Sequence, residues 1–188
     1  PGHAPGSLFP MRAAALFEQP GELTVIDVEI DDPQSHEVLV RTAACGLCHS
    51  DLHVMTGDVP AQLPSVLGHE AAGVVEAVGD SVTAFSPGDH VVACFTPSCG
   101  SCAACSRGEG WLCQLRDKPP LVRSAEDRPR LWHRDGPAGQ FLAVAGLAER
   151  MLVNERALVR VPDELPFDRA SLLGCGTLTG YGTIVNKA

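Results

Sequence analysis

Two sets of residues in this sequence have the types and spacing to bind metal. The first is dense. Residues 99–113, CGSCAACSRGEGWLC, hold four of the eight cysteines at the spacing C-x2-C-x2-C-x7-C. Four thiolates at such short steps suit a structural zinc, because a turn can wrap the ion and complete a tetrahedron. On this reading Cys99, Cys102, Cys105 and Cys113 fill the coordination sphere and stabilise a loop without catalysing anything. An iron–sulfur cluster also takes four cysteines, but the wide last step and the missing Cys-Pro ending fit it less well. Disulfides or free thiols complete the alternatives.

The second set is scattered. CGLCHSDLH (45–53) crowds two thiols, two imidazoles, a hydroxyl and a carboxylate into nine residues. GHEAAGVVEAVGDSV (68–82) sets His69 and Glu70 behind a glycine, at the mouth of a strand. GCG (174–176) holds a thiol between two glycines, where backbone can approach a ligand closely. Each of these ligand candidates, taken alone, is more often a packed or solvated side chain than a metal ligand. Cys45 and Cys48 also make a C-x2-C pair of the kind used in redox chemistry, with a small buried thiol as the alternative for Cys45. Cys94 lies in an apolar run and reads as core packing.

The elements that must position these residues read mostly as β-strands. LTVIDVEI (23–30) and EVLVRTAAC (37–45) alternate apolar and polar residues, as half-buried strands do. AAGVVEAVG (71–79) and DHVVACF (89–95) continue the pattern, with PGD (87–89) as a turn. MLVNERALVRVP (151–162) reads as two strands joined at Asn154–Glu155. No fixed-period repeat is present. The pattern predicts a mainly β, barrel-like core with long loops. Helical patterning is confined to 168–188, where Asp168 is the expected cap of one short helix and a second starts near Gly176. Residues 114–140 are polar and proline-bearing and read as one long loop, with Trp132 and Phe141 expected to pin it.

The bulk numbers narrow the function. The 188 residues suit one domain, and 45% hydrophobic content can build a core in which aromatics, at 5%, play little part. A formal charge of −9 argues against nucleic acid or an anionic membrane as partner. No run of 18 apolar residues suggests a membrane span. PGHAPGSLFP (1–10) lacks the basic and apolar regions of a signal peptide, so it reads as a disordered leader or an added remnant. A reducing cytoplasm is then the default, which favours metal over disulfides for clustered cysteines.

The run GHEAAGVVEAVGDSV resembles the zinc alcohol dehydrogenase signature G-H-E-x2-G-x5-G-x2-V at every fixed position. CHSDLH, PGDHVV, the four-cysteine spacing and GCGTLTGYG resemble the matching segments of that family, the medium-chain dehydrogenases, in consistent order over 11–188. The resemblance implies a GroES-like, partly open β-barrel over 11–175, with a zinc lobe at about 96–114 and a linker helix starting at 176–188. It implies two zinc ions per chain, one structural at the four cysteines and one catalytic at Cys48, His69 and Cys175, with a fourth position open. Ser50 matches the hydroxyl that bonds the substrate alcohol, and His53 the outer end of a proton relay. Asp51 matches the carboxylate that orients the zinc-bound histidine. Glu70 matches an acidic residue behind the metal, and Phe95 a wall of the substrate pocket. Thr179 matches a residue beside the nicotinamide. His49 stands where a cofactor phosphate contact often lies, with a solvent-facing role as the alternative. The long 114–140 segment and the GCG around Cys175 resemble the liver-type alcohol branch.

The implied activity is reversible oxidation of an alcohol to an aldehyde or ketone, with hydride passed to NAD or NADP. The implied partners are a small alcohol or aldehyde, the nicotinamide cofactor and further copies of the chain in a homo-oligomer. No G-x-G-x-x-G follows a strand, so a Rossmann domain is expected to be absent from this chain. The expectation is therefore an N-terminal fragment, made by design or proteolysis, that binds zinc but is inactive alone. A thiol–formaldehyde adduct dehydrogenase of the same family and a non-catalytic, zinc-stabilised GroES-like binding module are the other readings.

Overall fold

A computed structural model of the chain describes residues 8–118, 121–123, 127–134 and 136–187. The first strand, β1 (Phe9–Leu16), reaches two residues into the segment expected to be a disordered leader; residues 1–7 lie outside the described residues. β1 pairs antiparallel with β2 (Thr24–Ile30), whose Val28 and Ile30 are buried while Val25 is exposed, the expected half-buried alternation.

β3 (Glu37–Gly46) departs from that pattern, because Glu37 to Val40 are all buried. Val38 and Val40 join an apolar cluster with Val75, Val91 and Met151, whereas Leu39 joins a second cluster with Val28, Ile30 and Leu152. A strand with apolar neighbours on both faces has no solvent side to mark its period. Its register against the antiparallel strand Glu70–Val78 slips twice, between Leu39 and Val40 and between Thr42 and Ala44. Such bulges bend a strand and re-aim its end. Here they carry Gly46 to its pairing with Glu70.

The helix α1 (His49–Thr56) follows directly and was not visible in the apolar pattern, since only Asp51 and Val54 of it are buried. Next come β4 (Ser65–Val66), β5 (Glu70–Val78), β6 (His90–Ala93) and the short helix α2 (Ala103–Ser106). The expected 114–140 loop is not wholly loop. It contains β7 (Leu131–His133), β8 (Gly136–Pro137) and β9 (Gly139–Gln140), strands of two or three residues set by pairing rather than by pattern. β10 (Arg150–Asn154) and β11 (Leu158–Arg160) are the two strands expected around Asn154–Glu155. α3 (Phe167–Ala170) is capped by Pro166, so Asp168 lies in its first turn and does not cap it. α4 (Gly176–Lys187) starts where expected. The strands form a six-stranded sheet, β8-β7-β2-β1-β4-β9, and a five-stranded sheet, β10-β3-β5-β6-β11, closing a barrel-like core. Among the described residues no helix is long and apolar enough to cross a membrane.

Two arginines fasten the long segment to the barrel. Glu37 accepts from Arg123 Nη2 at 2.6 Å and from Arg130 Nε at 2.7 Å, and Arg123 Nη1 donates to Asp31 Oδ2 at 2.7 Å. Asp31, Glu37 and Arg130 are all buried. Trp132 in β7, paired opposite Glu29, and Phe141, packed near Leu16, Val54 and Leu67, add apolar contact at the far end. Burial pushes the Glu37 carboxyl up, but the bonds and charges of Arg123 and Arg130 outweigh it and hold it below its ordinary 4.5. A carboxyl lowered in the folded state contributes stability that is full above its unfolded value and is lost as pH falls through its folded value. Replacing Glu37 by Gln leaves the buried Arg130 without a carboxylate and Arg123 with Asp31 alone, and should cost about 3–5 kcal/mol at pH 7. Urea denaturation should show that loss at pH 7, with the gap to the parent narrowing below pH 4.5.

Candidate metal centre

Cys48, His69, Glu70 and Cys175 each bring one donor atom to a common point, all within 4.8 Å of one another. They come from the N-terminal edge of α1, the entry to β5 and the turn before α4. Asp51 joins the first two of these elements. Its Oδ2 accepts from the Cys48 backbone N–H at 3.1 Å, closing the first turn of α1. Its Oδ1 accepts from the Gly68 N–H at 2.9 Å and lies 3.6 Å from His69 Nδ1. Gly68 has φ +87°, a left-handed turn that an L side chain would strain. Gly46 makes room for the carboxylate, since a Cβ there would sit 2.5 Å from Glu70 Oε2.

The donors fit zinc. Cys48 Sγ and Cys175 Sγ are 3.9 Å apart, close to the roughly 3.8 Å edge of a tetrahedron with 2.3 Å zinc–sulfur bonds. Both His69 ring nitrogens are buried without a hydrogen-bond partner, a costly state for an imidazole that has no metal to ligate. Burial, followed by the neighbouring Cys48 and Glu70, pushes the Cys175 thiol up to about 12. Burial also works against a charged His69, yet Asp51 and Cys48 outweigh it and raise that imidazole. The His69 shift, raised against burial, and the smaller part of the Cys175 shift that comes from Cys48 and Glu70 reflect a negative field of the kind a dication satisfies.

The four-cysteine loop is a separate centre. Cys99, Cys102, Cys105 and Cys113 place their sulfurs within 4.8 Å of one another, with Cys99 and Cys105 at 3.9 Å. Backbone N–H groups of Ser101 and Cys102 point at Cys99 Sγ, at 3.5 and 3.3 Å, and hold its thiol down at about 6. Leu115 N–H and Cys99 N–H donate to Cys113 Sγ at 3.4 and 3.3 Å. Four sulfurs leave no corner for a substrate.

Residues 34–163 match the model of the alcohol dehydrogenase GroES-like domain. The chain belongs to that family. Among curated relatives, putative alcohol dehydrogenase D of Mycobacterium tuberculosis is 42% identical over 175 residues, covering 93% of this chain and 47% of the relative. An alcohol dehydrogenase zinc-binding domain protein from Burkholderia ambifaria superposes with a TM-score of 0.86 at 37% identity, covering 96% of this chain and 49% of its own. Benzyl alcohol dehydrogenase from Acinetobacter calcoaceticus gives 0.83 at 32%, covering 95% and 48%. The chain thus spans about half the length of the relatives it matches.

Of the residues expected in the catalytic site of this family member, Cys48, His69 and Cys175 do converge. Glu70 was expected behind the metal with a fourth position open; its carboxylate is itself among the four donors. Ser50 Oγ lies 3.7 Å from Cys48 Sγ. His53 is exposed one turn further along α1, its Nδ1 3.2 Å from Asp58 Oδ2, which Thr56 also holds at 2.7 Å. His49 is exposed, its ring 4.6 Å from that of His53. Thr179 is exposed on α4, its N–H donating to the Cys175 carbonyl at 2.8 Å. Phe95 packs edge-on against His69 at 5.2 Å, and Phe141 does so at 5.7 Å from another side. Phe141 carried no local sign of this second contact in the sequence.

The Cys45 thiol, packed beside Gly68 and Gly146, is pushed up to about 12 by burial and then by Asp51 and Glu70. That is the reverse of the depressed thiols of redox C-x2-C pairs. Cys94 is half-buried just past β6, 3.3 Å from Thr96 Oγ1, and so sits at the edge of the core. Because Asp51 holds both arms of the cluster, Asp51→Asn should weaken zinc binding there roughly 10- to 100-fold. Competition with a chelator would show that loss in one class of zinc only, the four-cysteine class being unchanged.

Proposed function

We propose that this chain is the metal-binding half of a zinc- and nicotinamide-dependent alcohol dehydrogenase that interconverts an alcohol with its aldehyde or ketone. The observation that carries the proposal is the convergence of Cys48, His69, Glu70 and Cys175 beside a hydroxyl and an imidazole on one helix. Zinc held by these donors supplies Lewis acidity to an alcohol oxygen. Of the four residues that would hold the ion, Glu70 would be its weakest partner, because a carboxylate is the hardest ligand in a set of thiolates and imidazole.

The chain's own groups manage the proton. Ser50 Oγ, two residues after Cys48, relays it, accepting the alcohol's proton as it passes its own hydroxyl proton outward toward His53. His53 lies one turn on from Ser50 along α1, on the same helical face. Its exposed ring passes the proton to solvent, held in place by the 3.2 Å contact of its Nδ1 with Asp58 Oδ2. Phe95 and Phe141 shield His69 and exclude water from the cluster. His49 and Thr179, exposed residues near Cys48 and Cys175 in sequence, are assigned to the cofactor. The four-cysteine zinc is assigned a purely structural role.

The test uses the full-length protein carrying this chain. Benzyl alcohol with NAD or NADP should be turned over, and Ser50→Ala should lower kcat by roughly 10²–10⁴. Metal analysis should find two zinc ions per chain, falling to about one in Cys175→Ser. A single zinc untouched by that change, with no turnover of any alcohol, would leave a zinc-stabilised binding module and sink the enzyme reading.

A further inference from the structure

A cavity of about 420 Å³ lies beside the metal cluster, lined by Phe95, Pro97, Arg116, Gln140, Leu142 and Ala143, with Thr96 and the exposed Asp117 completing the wall. Its size falls in the range of small-molecule sites. Phe95 belongs to both places, lining the cavity and standing edge-on to His69 at 5.2 Å. Leu142 and Ala143 follow Phe141, which also packs on His69. The wall they form is strained, since Leu142, Ala143 and the nearby Ala145 have φ of 52°, 59° and 57°. Non-glycine residues held in that region cluster at ligand sites, where surrounding structure enforces them.

Half of the wall is apolar or aromatic, and Arg116 is its one cation, set among Thr96, Gln140 and the exposed Asp117. Its Nη2 donates to the Trp111 carbonyl, but its Nε is buried without a partner. Arg107 pairs with Glu109, Arg123 with Asp31 and Glu37, and Arg160 with Asp89; Arg116 forms no ion pair among the described residues, not even with Asp117. A guanidinium N–H shut away from water with no acceptor is unfavourable until something supplies one. The planar donors of arginine match a carboxylate better than any neutral group.

Building on the dehydrogenase reading above, we propose that this cavity is the distal substrate subsite and that Arg116 binds a carboxylate at the end of the alcohol remote from its hydroxyl. The substrate class is then a hydroxy acid with an aryl or short alkyl body. Phe95, Pro97 and Leu142 cover the body, Arg116 binds the acid, and the hydroxyl reaches the metal cluster past Phe95.

The test compares benzyl alcohol with 4-(hydroxymethyl)benzoate, which differ only by the distal carboxylate. Binding to the zinc-loaded chain, followed by calorimetry or by NMR shifts, needs no turnover. The acid should bind roughly 10- to 100-fold tighter, the range expected of a charge-assisted hydrogen bond. Arg116→Gln should erase that ratio and Arg116→Lys should restore part of it. If Arg116 only props the loop through Trp111, both ligands weaken together and the ratio stays, which overturns the subsite. Equal binding of the two ligands to the parent overturns it as well. In the full-length protein the preference should appear in KM more than in kcat. Selective binding of the acid without oxidation of either alcohol would leave the subsite standing and remove the dehydrogenase reading instead.

Discussion

The site depends on one buried carboxylate. Asp51 is almost wholly inaccessible, and its two oxygens take the N–H groups of Cys48 and Gly68, on segments 17 residues apart between Asp51 and Gly68. The same carboxylate faces His69. Without it, the Gly46–Glu70 pairing would still bring Cys48 near His69, but neither donor would be fixed in orientation. Hydrogen bonds to a charged acceptor are worth about 1.5–3 kcal/mol each, and the folded structure spends them on orienting donors. Burial raises the Asp51 carboxyl, but the contact with His69 and the two backbone bonds outweigh it and keep it low. An amide in its place would offer one acceptor oxygen where the geometry uses two.

The two metal centres differ in what holds their donors together. The four cysteines span fifteen residues, so closing the loop is cheap and backbone N–H groups finish the work locally. The other donors run from Cys48 to Cys175, and only the paired sheets bring them close. Losing the compact centre should therefore be felt as a local collapse. Disturbance of the frame, through β3 and its bulges or through α3 and the turn after it, is felt as a change in chemistry. Density of thiols in sequence is thus a poor guide to reactivity, because a filled coordination sphere is inert.

How much of this was legible follows from which interactions are local. β2, β5, β6, β10 and β11 announce themselves by short apolar runs between turn residues. β3 was found but its environment was not, since nothing in EVLVRTAAC shows that both faces are covered or that Glu37 meets two arginines from residues 123 and 130. β1 was overlooked because FPMRAAAL is rich in alanine, a weak strand signal. α1 was overlooked because only two of its residues face inward and one of them is a carboxylate. The family resemblance named Cys48, His69 and Cys175 together, which no spacing rule would have joined, and the fold brings their donor atoms close. Glu70 is the instructive case. Adjacent residues in a strand point to opposite faces, which would set Glu70 behind His69. β5 begins only at Glu70, after the left-handed Gly68, so the alternation does not apply and both side chains reach the same point.

That break in regularity has a counterpart across the site. The turn from Phe141 to Ala145 keeps three non-glycine residues at positive φ, each unfavourable by about 1–2 kcal/mol. It persists because its ends are tied down. Ala145 N–H bonds to the Phe141 carbonyl, Gly146 N–H to Gly68 and Leu147 N–H to Leu67, so the turn is strung against the residues that introduce His69. A relaxed turn would have to give up those bonds or withdraw Phe141 from the imidazole. The strain is thus coupled to the metal cluster through Gly68. The same glycine that aims His69 inward also receives the backbone that packs an aromatic ring against it.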